Sequence, residues 1–327
     1  MKLGRALAGS FLAAIARPES WVLALGSFLI RGGIVLFVIP IWMVPTPVGL
    51  ANVVAPTITS FVFGGISPTF VAFVAASVTA FIGWVVLAGL ISARFERELI
   101  LMFAADEEAV EVPVRPVGHP GAAWRVLAVR LIAYLPLVAA VAFASTRIVQ
   151  VTYLELTDPS DVGVPVELRV LRRVPEAVIN IVAAWSIGEI VGSLAARQVV
   201  LARRSVLRAL LAAIAEVVRH PISTLVTYIV PTATLLVVTV PMAIVAGLAW
   251  DRLRVALGAA RTEPIAAVGF VVVFVAVWSS AIVVAGALSA WRSAAWTTEV
   301  VRLQRTFGGS ARRRAGDWEQ QQTSGSL

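Results

Sequence analysis

The chain has 327 residues, of which 59% are hydrophobic and only 14% are charged. Soluble domains carry about 25% charged residues, so this composition predicts a membrane protein. The apolar runs are continuous rather than alternating, which argues against a β-barrel and favours a polytopic all-α fold. Cysteine is absent, which excludes disulfides, thiolate metal sites and cysteine nucleophiles.

Six apolar segments are long enough to cross a bilayer, which takes about 20 helical residues. In chain order they are predicted at Trp21–Val44, Pro68–Ala93, within Trp124–Ile148, and at Pro175–Ala196, Pro221–Trp250 and Pro264–Ala290. The start of the third segment stays open. These six spans make up one predicted transmembrane domain, residues 1–307.

The two ends of the chain differ from the spans. Residues 1–17 carry a helical apolar stripe at i, i+4 spacing, formed by Leu3, Leu7, Phe11 and Ile15. This stripe is typical of an amphipathic helix that lies on the membrane surface. Residues 308–327 are rich in Gly, Ser, Gln and Arg and are predicted to be a disordered basic tail.

Charge predicts the orientation of the chain. With six spans both termini lie on one side, and that side holds 19 of the 27 Lys and Arg residues, against 7 in the other three loops. The positive-inside rule therefore places both termini in the cytoplasm. The chain has 26 Arg and one Lys, which we interpret as the coding preference of a high-GC bacterium, so the expected location is the bacterial plasma (inner) membrane. This basic face is expected to attract anionic lipid. Nucleic acid is not an expected partner, because no soluble domain is present to bind it.

Three two-span units repeat along the chain, at residues 1–95, 121–200 and 204–305. The second span of each unit begins at a proline, namely Pro68, Pro175 and Pro264. Each repeat crosses the membrane twice, so its chain enters and leaves on the same side of the membrane. The sequence therefore predicts three parallel hairpin repeats with interfacial amphipathic helices.

The ends of the second spans share small residues four positions apart, which lie on one helix face. These residues are Gly89 and Ala93, Gly188, Gly192 and Ala196, and Gly286 and Ala290. Small faces let membrane helices approach closely, so we interpret them as a helix-packing motif.

Arg31 and Glu189 are the charged residues that lie deep inside the predicted spans whose bounds are assigned. Arg31 lies about 15 Å along its helix from Trp21, near mid-bilayer, where an arginine costs at least about 2.5 kcal/mol. Gly32 and Gly33 follow it and predict a helix break. We expect Arg31 and Glu189 to face the interior and to pair. Either a structural ion pair or a substrate site fits this pattern.

The loop between the first two spans, residues 45–67, has no charge and is rich in Pro and Gly. The equivalent loops of the other repeats are charged. An uncharged segment of this length is typical of a re-entrant or interfacial element, which either caps the helices or gates them.

Enzyme chemistry has little support in the sequence, and no metal site or cofactor is expected. The two histidines, His119 and His220, each precede a proline, and no phosphate-binding loop or nucleophile motif is present. Two non-enzymatic functions remain. The first is a transport or channel subunit with a polar interior site at Arg31 and Glu189, and a separate ATPase if transport is ATP-driven. The alternative is a scaffold or accessory subunit that packs against membrane-protein partners.

Overall fold

The computed structural model describes residues 3–38, 67–108, 121–258 apart from 159, 162 and 165, and 264–324. This part of the chain is all-helical, as the composition predicts. It divides into two compact units. The first unit comprises Met1–Leu7, Ile100–Tyr228 and Ala295–Leu327, and the second comprises Ala8–Leu99 and Ile229–Ala294. These boundaries differ from those of the repeats, and the arrangement of three parallel hairpins stays a prediction.

The helices have the following bounds in chain order. The first four are α1 (Leu3–Ile15), α2 (Pro18–Phe28), α3 (Ile34–Val38) and α4 (Pro68–Glu108). The next four are α5 (Ala122–Ala133), α6 (Leu135–Thr157), α7 (Val166–Arg173) and α8 (Pro175–Val200). The last three are α9 (Val206–Arg219), α10 (Pro221–Gly258) and α11 (Pro264–Ser324).

Six helical stretches of the described chain are long and apolar enough to cross a membrane, which agrees with the six predicted spans. They are Pro18–Val38, Phe70–Asp106, Ala122–Thr157, Pro175–Val200, Pro221–Gly258 and Ile265–Leu303. Several extend past the predicted ends, because a helix continues after its apolar run stops. The 41 residues of α4 measure about 60 Å, twice the roughly 30 Å of a bilayer core.

Two of the spanning stretches are interrupted. A π-helical turn, Leu29–Gly33, separates α2 from α3, and within it Gly32 has φ 103° and ψ −5°. Only glycine adopts this conformation without strain, and the turn lies where the sequence predicts a break. Between α5 and α6 the chain turns at Tyr134, just before Pro136. Proline lacks an amide hydrogen and clashes with the preceding turn, which explains the second interruption.

Each unit has its own apolar packing. In the first unit, α6, α7 and α8 enclose a core of Ala144, Val151, Val170, Val174 and Ala177. In the second unit, Phe37 packs against Ala281 and Ala285 of α11.

Short amphipathic helices precede two of the spans. In α9, Leu207, Leu211, Ile214 and Val218 are exposed, while Ala209, Leu210 and Ala213 are buried. In α1, Leu12 and Ile15 are exposed, and Phe11 packs edge-on against Trp291. Helices with one apolar face free suit the membrane interface.

Two predictions concern the margins of the described chain. The uncharged loop, apart from Ser67, lies outside the described residues. The structure continues α11 as a helix to Ser324, across most of the segment predicted to be disordered. Residues 308–324 include three Arg, three Gln and two Ala, and all three residue types have high helix propensity.

Candidate functional site

Arg31 joins the two helices α2 and α4 through a polar cluster in the second unit. Its Nε donates to Ser92 Oγ at 2.8 Å, and its Nη2 donates to Glu96 in a salt bridge. Ser92 is also hydrogen-bonded to Ser27 at 2.9 Å. The side chain of Glu96 is 6% exposed and that of Arg31 is 25% exposed. We call these four residues the Arg31 cluster.

Glu189 lies in a second cluster, between α5 and α8 of the first unit. Arg130 Nη1 is 3.4 Å from Glu189 Oε2, and Arg130 Nη2 donates to Ser193 Oγ at 3.1 Å. Tyr134 donates its hydroxyl to Glu189 Oε2, and Ser193 donates to Glu189 Oε1 at 3.3 Å. Both charged side chains are more than nine-tenths buried. We call this set the Arg130 cluster.

A third cluster joins α10 to α11 within the first unit. Ser223 donates to Glu299 Oε1, and Arg302 Nη2 donates to both Ser223 Oγ and Glu299 Oε1 at 2.7 Å. Glu299 is almost fully buried. We call Ser223, Glu299 and Arg302 the Arg302 cluster.

The three clusters share one composition: an arginine, a glutamate and a serine that connect two helices. In the first two clusters the serine and the glutamate lie four residues apart on one helix, at Ser92 and Glu96 and at Glu189 and Ser193. This spacing places both side chains on one face, where one arginine reaches both. Each arginine neutralises its carboxylate, which reduces the free energy of placing either charge in an apolar environment.

The expected pairing of Arg31 with Glu189 stays a prediction, because these residues belong to different units. Within its own unit, each has a partner that we did not predict from the sequence, Glu96 for Arg31 and Arg130 for Glu189. Glu96 lies just beyond the second predicted span, and Arg130 lies where the start of the third span stays open. The spacing of Ser92 and Glu96, which matches that of Glu189 and Ser193, is a sequence signal for Glu96 but not for Arg130.

The predicted packing residues lie at close helix contacts. A Cβ atom added at Gly188 would lie 2.9 Å from the carbonyl oxygen of Ala133, and one at Gly286 would lie 3.0 Å from that of Trp21. At Gly192 the nearest atom would be Arg130 Nη1, at 3.0 Å, so this glycine leaves room for the arginine. Ala93, Ala196 and Ala290 are buried, and Gly89 is partly buried.

Glu155 forms a separate buried ion-pair group at the end of α6. It is fully buried and accepts hydrogen bonds from Arg169 Nη1 at 3.0 Å and from the Ser160 hydroxyl and amide. Arg173 Nε lies 2.7 Å from the same carboxylate. Arg169 and Arg173 of the basic helix α7 therefore hold α7 against α6.

Replacement of Glu155 by glutamine is expected to loosen α7, because two arginines lose the negative charge that neutralises them. Hydrogen exchange of the amides of Val166–Arg173 should become faster than in the unaltered protein. The matched control is Glu176→Gln, since Glu176 has an exposed partner, Arg147, at 4.0 Å. Equal exchange of α7 in both variants would contradict this role of Glu155.

Comparisons with known proteins add no assignment: no family model, no curated protein and no solved structure matches the chain. Among the described residues, no group of three or more His, Cys, Asp or Glu side chains is arranged to hold a metal ion. The three clusters are therefore the features of the described chain that bear on its function.

Proposed function

We propose that this chain is a non-enzymatic, multi-pass membrane subunit with a scaffold or accessory role. In this proposal it lies in a bacterial plasma membrane with both termini in the cytoplasm. The observation that carries the proposal is the internal neutralisation of charge in the Arg31, Arg130 and Arg302 clusters. Its exposed apolar side chains would then pack against lipid and partner proteins.

The chemistry of the Arg130 cluster supports a structural role. Glu189 accepts hydrogen bonds on both carboxylate oxygens, from Arg130 and Tyr134 on one and from Ser193 on the other. Little of its acceptor capacity remains for a substrate or an ion. Glu189 on α8 is already bound by Arg130 on α5, so this contact is suited to fixing the register of the two helices.

A transport or channel function is the second candidate, and the Arg31 cluster favours it. Arg31 lies within the π-helical turn beside Gly32, and a quarter of its side chain is exposed. Helices interrupted at mid-membrane form substrate sites in many transporters. A separate ATPase would be needed if such transport were driven by ATP.

Water access to the clusters distinguishes the two candidates. The native chain has no cysteine, so a single introduced cysteine is the only thiol. In lipid nanodiscs, where both faces meet water, Ser193→Cys and Ser27→Cys are expected to resist a charged methanethiosulfonate reagent and to react after denaturation. Ser205→Cys, at an exposed position before α9, is the positive control. Rapid labelling at position 27 or 193 would favour transport and contradict the scaffold proposal.

A further inference from the structure

A cavity of about 450 Å³ lies within the first unit, where α8, α9 and α11 meet. Its polar lining consists of Gln198, Arg204, Glu216, Arg219 and His220. Ala212, Ala215 and Leu303 form the apolar part of the wall. None of these residues belongs to the three clusters.

We propose that this cavity binds a phosphate ester that carries a free hydroxyl group, as a glycerophosphate headgroup does. The proposal goes beyond the scaffold function and does not depend on it. Two sources supply this chemistry, a membrane lipid and a soluble phosphate ester, and the experiment below separates them.

Two arginines supply the positive charge that a phosphate requires. Arg204 and Arg219 are exposed, and neither forms a salt bridge with a carboxylate in the described part of the chain. The planar guanidinium group matches the geometry of phosphate oxygens and binds them through two parallel hydrogen bonds. His220 adds a third nitrogen-bearing side chain to the same wall.

Gln198 indicates the hydroxyl group. Its Nε2 donates to Glu216 Oε2 at 3.0 Å, while its Oε1 is buried and has no hydrogen-bond partner among the described residues. Gln198 as a whole is 5% exposed. A buried acceptor without a donor is unfavourable, and the hydroxyl of a ligand bound beside the arginines would satisfy it.

Glu216 is the one carboxylate among the described residues of the lining, and its environment favours proton uptake. Burial raises the pKa of this carboxyl above its usual range, and the nearby charge of Glu299 adds to the rise. The hydrogen bond from Gln198 and the charges of His220 and Arg204 act in the opposite direction. A raised pKa reduces the repulsion that a bound phosphate would meet at this wall.

The amphipathic pattern of α9 supports a position of the cavity at the level of lipid headgroups. Ala212, Ala215, Glu216 and Arg219 face the cavity from α9. The exposed apolar side chains of the same helix, Leu207, Leu211, Ile214 and Val218, lie about a third of a turn away at 100° per residue. When that apolar face rests in the acyl region, the cavity wall lies beside the headgroups.

Native mass spectrometry of the full chain in detergent tests the lipid source. The double variant Arg204→Gln/Arg219→Gln is compared with Arg203→Gln/Arg208→Gln, which removes the same charge from exposed neighbours outside the cavity lining. Phosphatidylglycerol affinity should fall at least about tenfold more in the cavity variant than in the control, since charge-assisted hydrogen bonds are lost. The unaltered protein should also prefer phosphatidylglycerol to phosphatidylmethanol, whose headgroup has no hydroxyl.

Calorimetry with glycerol 3-phosphate and with inorganic phosphate, on protein in phosphatidylcholine nanodiscs, tests the soluble source. Binding of glycerol 3-phosphate that requires Arg204 and Arg219 would assign the site to a soluble ester, whereas phosphatidylglycerol binding alone would assign it to lipid. The proposal is overturned if neither phosphatidylglycerol nor glycerol 3-phosphate binds. It is also overturned if both double variants lose affinity equally while keeping the thermal stability of the unaltered protein. Equal binding of phosphatidylglycerol and phosphatidylmethanol would overturn the assignment of the hydroxyl to Gln198.

Discussion

Replacement of Arg130 by alanine is expected to lower the free energy of unfolding by about 3–5 kcal/mol, the usual effect of breaking a buried ion pair. Glu189 would remain buried with its negative charge but without its arginine partner, while the hydroxyls of Tyr134 and Ser193 still donate to it. The same change also removes the hydrogen bond from Arg130 to Ser193. Reversible unfolding in mixed detergent micelles, followed by circular dichroism, measures the loss.

Arg147→Ala is the matched control for this experiment. Arg147 and Glu176 join the same two helical stretches as Arg130 and Glu189, but their side chains are 56% and 60% exposed and 4.0 Å apart. An exposed pair of this kind contributes at most about 1 kcal/mol. A similar small loss in both variants would show that burial of the Arg130 cluster has no energetic consequence.

The second large effect is expected from Gly188→Ala. The added Cβ would lie 2.8 Å from Tyr134 Cδ1 and 2.9 Å from the backbone oxygen of Ala133. A ring can move, but a backbone carbonyl moves only with its helix, so α8 must separate from α5. We expect a loss of about 1–3 kcal/mol, as for other overpacked interiors, measured by the same unfolding assay.

Gly83→Ala and Gly269→Ala control for the intrinsic effect of alanine in a helix. No atom lies within 4 Å of a Cβ at either position. Alanine has the higher helix propensity, by about 1 kcal/mol in an exposed helix, so neither control should lose stability. If Gly188→Ala were as stable as these two variants, the close approach of α8 to α5 would not be required for the fold.

The hydrophobic pattern predicted the helices because it depends only on composition along each segment. Every predicted span overlaps a long apolar helix, and the stripe at residues 1–17 overlaps α1. The ends were less predictable, since a helix continues for as long as backbone hydrogen bonds form, whether or not the residues are apolar. This is why α4 carries Glu96 beyond the predicted end at Ala93.

The partners of Arg31 and Glu189 could not be obtained from an inventory of charges inside apolar runs. Such an inventory leaves out Glu96, which lies just beyond the second predicted span, and Arg130, which lies where the start of the third span stays open. A long arginine side chain can nevertheless bridge such distances. The choice of partner also depends on which helix faces meet, and that information is tertiary. By contrast, the conformational freedom of Gly32 and Gly33 is a local property of the backbone, which the sequence shows directly. The helix is interrupted at Gly32.

We infer that the arginine and glutamate side chains of each cluster neutralise one another inside their own unit. Two double-mutant cycles that share Glu189→Ala test it most directly, one with Arg130→Ala and one with Arg31→Ala. We predict a coupling energy of about 1–3 kcal/mol between Arg130 and Glu189, and the second cycle tests the pairing of Arg31 with Glu189 that is expected from the sequence. Additive effects in the first cycle together with strong coupling in the second would contradict the account.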